Sequence, residues 1–239
     1  MRGAPTLGGG VGVPGVVVFD LDDTLVRWQA AVRGALRRLA ATVSLDLEAF
    51  AQAVWRTWYG RAEEIWTGRL DLEAVTREAT VAVAAGLGVD EGEAARLYQL
   101  YVGYIDELLV PYEDVASLRT LAGGYRLGVA TNGIGEVQRR KLYRAGLADL
   151  FAFVVVSAEV GVAKPDPAFY AAVHQAAGAP PGEIVVVGDN VARDLLPALA
   201  VGMRAVWLRR ADDEPQEAAW IGPAVTSLFE LKAVLQALE

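Results

Sequence analysis

The sequence predicts an α/β fold in which a doubly wound parallel sheet carries one inserted, all-helical domain. Short apolar runs rich in β-branched residues recur along the chain, and from Val115 onward they alternate with helical patterns. Residues 27–108 differ, because they show helical periodicity without a strand pattern. A core domain whose first strand is followed by a helical insertion explains both features.

Five runs are predicted strands, and their nearly continuous hydrophobicity is typical of strands buried on both faces. They span residues 16–20, 125–131, 152–157, 184–189 and 204–208. Helices are predicted over 115–122, 134–145, 167–177, 191–201 and 227–238. This β-α-β-α order is that of a doubly wound sheet with helices on both faces.

The helical insertion sets the predicted domain boundaries. Residues 27–108 form a cap with helices over 28–42, 46–65, 71–86 and 91–108. Residues 15–26 and 109–239 form the core domain, so the two crossings between cap and core are expected to act as hinges. Residues 1–14 are predicted to be a flexible leader. Its G-x-G-x-x-G pattern (Gly10, Gly12, Gly15) precedes a strand, so it does not indicate dinucleotide binding.

Composition excludes several classes of function. Lys and Arg total 22 against 30 Asp and Glu, and the net charge of −8 argues against a nucleic-acid polymer or a membrane surface as partner. The chain has no Cys and one His, His174, which excludes disulfides, Cys-ligated metals, Cys nucleophiles and multi-His sites. No stretch is suited to a signal peptide or a membrane span, so we expect a cytoplasmic protein. Any catalysis is expected to depend on carboxylates.

Carboxylates gather where predicted strands end. Asp20 and Asp22 end the first strand at positions i and i+2, Asp189 ends the fourth, and Asp194 lies one helical turn further on. Ligands bind outside the carboxyl ends of parallel strands, so these groups are expected to share one crevice. Without a cation they would repel one another. An all-oxygen site of this kind suits Mg²⁺ with water and phosphate in its shell.

Two further strand ends offer groups that bind phosphate. Thr131-Asn132-Gly133 precedes a helix whose N-terminus is expected to face the same crevice. Lys164 lies in a loop fixed by Pro165 and Pro167, and it is one of only 3 Lys beside 19 Arg. Alone, each element would be a turn or a helix cap. In order, at the ends of different strands, they predict one site.

These elements resemble the four motifs of the haloacid dehalogenase (HAD) superfamily. The motifs are Asp20-Leu21-Asp22-Asp23-Thr24-Leu25, Thr131-Asn132-Gly133, Lys164-Pro165 and Gly188-Asp189-x₄-Asp194. The likeness covers residues 16–210, and the position of the insertion resembles subfamily I, with a Rossmann-like core and a helical cap. Gln138 and Lys141-Leu142 more distantly resemble the branch of pyrimidine 5′-nucleotidases and N-acylneuraminate-9-phosphatases.

The resemblance implies a Mg²⁺-dependent phosphatase that hydrolyses a small phosphate monoester, such as a nucleotide or sugar phosphate, through an aspartyl-phosphate. The implied catalytic residues are Asp20 as nucleophile and Asp22 as general acid and base. The implied phosphate-binding residues are Thr131, Asn132 (through its backbone N–H) and Lys164. The implied metal ligands are Asp20, Asp189 and the backbone carbonyl of Asp22, supported by Asp194. Asp23 and Thr24 are expected to support the turn.

Other activities on the same motifs differ in how well they fit. A sugar phosphomutase shares all four motifs and stays open. A phospho-accepting regulator also stays open, although receiver domains are far shorter and have no insertion beside the phospho-acceptor. A phosphonatase needs a cap lysine, and residues 27–108 contain none. A 2-haloacid dehalogenase fits poorly, because position 22 carries an acid–base Asp.

The remaining aromatic residues are less informative. Trp55, Trp58 and Tyr59 share one helical face, with Trp66 nearby. We favour the core of the cap bundle for them, and the alternative is a pocket that stacks on a nucleobase. An apolar cap could also serve a homodimer. His174 is interpreted as packing or surface, and Trp207 as core.

Overall fold

A six-stranded, all-parallel sheet forms the centre of the computed structural model, which describes residues 15–210 and 219–238. Its order is β3-β2-β1-β4-β5-β6. The strands are β1 (Val16–Phe19), β2 (Arg126–Thr131), β3 (Phe153–Val156), β4 (Ile184–Gly188), β5 (Arg204–Leu208) and β6 (Ala224–Val225). Chain order reverses between β1 and β4, and such a switch point is where open α/β sheets bind ligands.

Five helices lie between β1 and β2, in the segment predicted as the cap. They are α1 (Trp28–Thr42), α2 (Leu47–Gly60), α3 (Ala62–Trp66), α4 (Leu72–Leu87) and α5 (Glu91–Leu108). Helices α1 and α5 pack together, as do α2 and α4. The buried aromatic residues between them are Phe50, Tyr98 and Tyr101, and the Phe50 and Tyr101 rings meet edge to face at 5.5 Å.

The other helices cover the two faces of the sheet. A 3₁₀ turn (Glu113–Ser117) leads into α6 (Leu118–Leu121), and the remaining ones are α7 (Gly135–Arg144), α8 (Ser157–Val160), α9 (Pro167–Ala177), α10 (Leu196–Ala200) and α11 (Leu231–Ala237). Alternate residues of β1 face opposite layers. Val17 and Phe19 join the cluster with α6, α7 and α11, whereas Val16 and Val18 pack with α9 and α10. The strands are therefore buried on both faces, as predicted.

The two crossings between core and helical segment run side by side. Val26 and Pro111 form an antiparallel bridge. The N–H of Arg27 donates to the carbonyl of Val110 at 3.0 Å, and the N–H of Tyr112 donates to the carbonyl of Leu25 at 3.0 Å. The predicted hinges are thus joined by backbone hydrogen bonds.

The structure confirms the predicted fold class and corrects several element boundaries. The helix expected over 46–65 is interrupted at Arg61, and the one expected over 227–238 begins only at Leu231. The helix expected over 191–201 opens with a π-helical turn (Val191–Leu195). The short elements α8 and β6 were not predicted. The proposed leader, with Gly10 and Gly12, lies outside the described residues. No helix among those described is long and apolar enough to cross a membrane.

Candidate active site

Three of the predicted carboxylates meet at the carboxyl edge of the sheet. Asp20 follows β1, Asp189 follows β4, and Asp194 lies in the π-helical turn. One carboxylate oxygen from each lies within 4.8 Å of the others. The N–H of Asp20 donates to the carbonyl of Val187 at 2.9 Å, which fixes the two strand ends against each other. The three carboxylates thus lie together at the sheet edge, where the sequence predicted that strand ends would place them.

Lys164 lies inside this carboxylate cluster. Its Nζ donates to Oδ1 of Asp20 at 2.5 Å, to Oδ1 of Asp194 at 2.5 Å and to the carbonyl of Ala130 at 3.0 Å. Burial alone would lower the pKa of Lys164, but the charges of Asp194 and Asp20 raise it above its usual range. The ammonium therefore stays charged.

The Asn132 side chain holds the loop that presents Lys164. Its Nδ2 donates to the carbonyl of Lys164 at 3.0 Å, and its Oδ1 accepts from the N–H of Lys164 at 2.9 Å. The sequence analysis considered the backbone N–H of Asn132 and missed this side-chain function. No local pattern signals it, because the two residues are 32 positions apart.

Thr24 and Trp207 fix Asp189. The Thr24 hydroxyl donates to Oδ1 of Asp189 at 3.1 Å and accepts from its N–H at 3.0 Å. Nε1 of Trp207 donates to the Asp189 carbonyl at 2.9 Å. Thr24 lies in the turn after β1, but its hydroxyl thus stabilises the turn after β4. The interpretation of Trp207 as core is confirmed only in part: the half-buried ring packs against Val191, Leu195 and Ala205, and its N–H also holds the backbone of Asp189.

The π-helical turn positions Asp194. The Tyr170 hydroxyl donates to the carbonyls of Arg193 and Asp194 at 2.7 and 3.0 Å. A Cβ on Gly188 would lie 2.8 Å from both Cβ and Oδ2 of Asp194, so only glycine fits there. Neither contact was predicted, since each depends on packing between elements.

The cluster carries more negative charge than Lys164 neutralises. Burial, followed by the charges of Asp20 and Asp194, raises the pKa of Asp189 to about 8. Burial also raises the pKa of Asp194, partly opposed by Lys164. Burial raises the pKa of Asp23 to about 7. Closely spaced carboxylates with raised pKa values and all-oxygen donors fit a hard divalent cation.

The Asp22 side chain lies outside this cluster and has different partners. Nζ of Lys141 donates to both of its carboxylate oxygens, at 2.8 and 2.7 Å. Nε2 of Gln138 donates to Oδ2 of Asp22 at 3.2 Å and to Oγ1 of Thr131 at 2.7 Å. Sequence reasoning noted Gln138 and Lys141 only through a family resemblance. Lys141 could have been singled out from the sequence, because the chain has only 3 Lys beside 19 Arg.

Asp23 connects the turn after β1 to α1, the first helix of the inserted segment. It adopts φ 61°. Its Oδ1 accepts from the N–H of Gln29 at 2.9 Å. The residue at the N-cap of α1, Arg27, provides no side-chain cap, so Asp23 satisfies a free N–H of the first turn instead. Its expected support of the turn therefore extends to the start of α1.

The prediction that the cap aromatics form the bundle core is wrong for two of them. Trp55 is 44% exposed and Tyr59 is 73% exposed. Trp58 is half-buried, and its Nε1 donates to the Tyr98 hydroxyl at 3.1 Å. Phe50 and the two buried tyrosines of α5 already fill the interior, which leaves the outer face of α2 to solvent. His174 is exposed, as expected.

The fold and the site together define the class of protein. It has a doubly wound parallel sheet with a cluster of carboxylates and a lysine at the switch point. A helical segment is inserted after the first strand. The family model of haloacid dehalogenase-like hydrolases matches residues 14–202, and the chain belongs to this family.

The names of similar proteins indicate which reaction this member of the family catalyses. A phosphoserine phosphatase of Thermus thermophilus is 33% identical over 222 residues, which cover 82% of this chain and 88% of the relative. The pyrimidine 5′-nucleotidase YjjG of Escherichia coli is 32% identical, covering 60% of this chain and 64% of the relative. The chain is accordingly a phosphoric monoester hydrolase of the HAD superfamily.

Solved structures agree on the fold. A 2-haloacid dehalogenase of Pseudomonas syringae superimposes with a TM-score of 0.70 at 27% identity, covering 95% of this chain and 100% of that one. The magnesium-bound HAD-hydrolase YfnB of Bacillus subtilis gives 0.69 at 22% identity, covering 94% of this chain and 99% of that one. This second likeness concerns the fold alone.

Proposed function

We propose that this hydrolase is a Mg²⁺-dependent phosphatase in which Asp20 is the nucleophile and Asp22 the general acid and base. The observation that carries the proposal is the separation of the two carboxylates. Asp20 belongs to the cluster with Asp189, Asp194 and Lys164, whereas Asp22 is bound by residues of α7. This arrangement supports a division of roles in which Asp20 would react among the groups that bind phosphate and metal, and Asp22 would transfer protons.

The donor set supports a magnesium site. Asp20, Asp189 and the backbone carbonyl of Asp22 would hold the ion, with Asp194 supporting them while it binds Lys164. When bound, Mg²⁺ would reduce the repulsion between carboxylate and phosphate and stabilise negative charge on the phosphoryl oxygens.

The proposed first step transfers the phosphoryl group to Asp20. A carboxylate oxygen attacks phosphorus in line, a new P–O bond forms, and the bond to the ester oxygen breaks. Lys164 and Thr131 would bind the phosphoryl oxygens with the backbone N–H of Asn132. Asp22 gives its proton to the departing alkoxide, so the alcohol leaves neutral.

The proposed second step returns the enzyme to its starting state. The Asp22 carboxylate accepts a proton from water, and the resulting hydroxide attacks phosphorus. The bond to the Asp20 oxygen breaks and inorganic phosphate leaves. Lys141 and Gln138 bind the Asp22 carboxylate, which supports its function as a fixed base in this step.

A small phosphate monoester is the proposed substrate. The relatives include a phosphoserine phosphatase, pyrimidine 5′-nucleotidases and a glyceraldehyde 3-phosphate phosphatase of Methanopyrus kandleri that is 37% identical over 113 residues. Because these relatives are named as phosphatases and nucleotidases, they favour hydrolysis over the phosphomutase and regulator alternatives. We keep residues 27–108 as the cap that closes over the substrate.

Phosphate release from a panel of amino-acid, sugar and nucleoside phosphates tests the proposal. We expect release with Mg²⁺, loss of release with EDTA, and no turnover by Asp20→Asn at unchanged thermal stability. Turnover by Asp20→Asn would contradict Asp20 as nucleophile. Transfer of phosphoryl groups between sugars without phosphate release would indicate a mutase. A homodimer and a cytoplasmic location stay predictions from the sequence.

A further inference from the structure

Arg193 is a cation beside the site that the proposed mechanism does not use. It lies in the π-helical turn directly before Asp194, and its side chain is half-buried. Its backbone is fixed, because its N–H donates to Oδ1 of Asn190 at 2.9 Å and its carbonyl accepts from the Tyr170 hydroxyl. Within the described part of the chain, its guanidinium has no hydrogen bond or ion pair. Arg61 and Arg210, by contrast, are paired with carboxylates.

The guanidinium faces the inserted helical segment. Its carbon lies 5.9 Å from the centroid of the Trp66 ring, at the end of α3. The same part of the cap approaches the core at Gly68, where a Cβ would collide with the carbonyl oxygen of Ala158. Arg193 therefore lies where cap and core meet, at the edge of the crevice.

Arg193 is the nearest neighbour in the chain of Asp194, a member of the carboxylate cluster. Lys164 is already engaged by two carboxylates and a carbonyl, whereas the donors of the Arg193 fork are available. An anionic group beside the transferred phosphoryl group would find these donors.

We propose that Arg193, with Trp66 behind it, binds a second anionic group on the leaving-group part of the substrate. A guanidinium fork binds a carboxylate or a phosphate through two parallel hydrogen bonds, and the indole face limits its movement. The substrate class would be phosphate monoesters that carry a carboxylate or a further phosphate. This inference rests on the proposed phosphatase function and specifies its substrate.

Matched pairs of substrates test the inference and separate the two sources of negative charge. O-Phosphoserine and phosphoethanolamine differ only by the carboxylate, and fructose 1,6-bisphosphate and fructose 6-phosphate differ by one phosphate. We expect kcat/KM to favour the more anionic member of at least one pair. In Arg193→Met this preference falls by about 10- to 100-fold, the size expected for a charge-assisted pair of hydrogen bonds. The rate on the less anionic member stays within about twofold.

Further variants keep the result interpretable. Arg193→Lys keeps the charge but lacks the fork, so it should restore part of the preference. Arg119→Met, at an exposed position of α6, is the control and should match the wild type. Equal loss on both members of a pair would overturn the inference, because Arg193 would then bind the transferred phosphoryl group or only stabilise the turn. Absence of turnover by the wild type on any ester would instead contradict the proposed phosphatase.

Discussion

Lys141 donates from Nζ to both carboxylate oxygens of Asp22, at 2.8 and 2.7 Å. The ammonium is almost completely buried and lies 3.5 Å from the centroid of the Trp28 ring, at the start of α1. Two of its three N–H groups therefore orient Asp22, and its ammonium lies over Trp28, the first residue of α1. The lysine that holds the proposed acid–base residue thus contacts both the core and the inserted helical segment.

Replacement of Lys141 by Met should lower kcat by about 10- to 100-fold, because a general acid or base contributes in proportion to how well it is positioned. Met keeps the length and apolar stem of the side chain but cannot donate. The check is steady-state hydrolysis of the best substrate in the panel, with Lys232→Met on α11 as control. Wild-type turnover in the Lys141 variant would show that Asp22 needs no such partner.

Replacement of Lys164 by Arg should lower kcat by about 100-fold or more although the charge is kept. Nζ of Lys164 lies between Oδ1 of Asp20, Oδ1 of Asp194 and the Ala130 carbonyl. Lys164 is only 4% exposed to solvent. A planar guanidinium has a different donor geometry and greater bulk. Steady-state kinetics and a thermal melt separate lost chemistry from lost fold. Near-wild-type kinetics would show that catalysis does not depend on the lysine at position 164.

Gly188→Ala should impair both stability and activity. The added methyl would lie 2.8 Å from Cβ and Oδ2 of Asp194, and overpacking of this kind costs about 1–3 kcal/mol. Displacement of Asp194 would also weaken the hold on Lys164. Urea unfolding and phosphate release measure the two effects. Gly182→Ala is the matched control, since no atom lies within 4 Å of its added Cβ, and an equal effect there would contradict the steric explanation.

The sequence predicted those parts of the site that follow from strand topology. Asp20 and Asp189 come together because parallel strands place their carboxyl ends at one edge, where Thr131 ends the neighbouring strand β2. The contacts from Lys141 to Asp22 and from Asn132 to Lys164 depend on how a helix or loop packs over that edge, and the sequence has no periodic signal for them. The exposure of Trp55 and Tyr59 was missed for a similar reason. Helical spacing shows that residues share a face, but it does not show which face the bundle buries.

The final prediction concerns a buried ion pair next to the hinges. Nη1 of Arg210 donates to Oδ2 of Asp114 at 2.5 Å, and Nη2 of Arg210 donates to the carbonyl of Thr24 at 2.6 Å. Its guanidinium carbon also lies 3.8 Å from the Tyr112 ring centroid. The same Asp114 oxygen accepts from the Ser227 hydroxyl and from the N–H of Leu228. Asp114 thus binds the segment before α11 directly, and through Arg210 it is linked to the turn after β1.

Asp114→Asn should lower the free energy of unfolding by about 3 kcal/mol at pH 7, because it removes the negative charge of Asp114 from a buried ion pair with Arg210. Burial opposes ionisation of Asp114, but hydrogen bonds from Arg210 and Leu228 lower its pKa below the ordinary value of 3.8. A carboxyl whose pKa is lower in the native state stabilises the fold above its unfolded pKa and loses that effect as pH falls through the native pKa. The difference between wild type and variant should therefore be constant from pH 7 to about pH 5 and shrink below pH 3.8. Urea unfolding across this range, with exposed Asp149→Asn as control, makes the measurement, and a difference that grew on acidification would contradict the assigned ion pair.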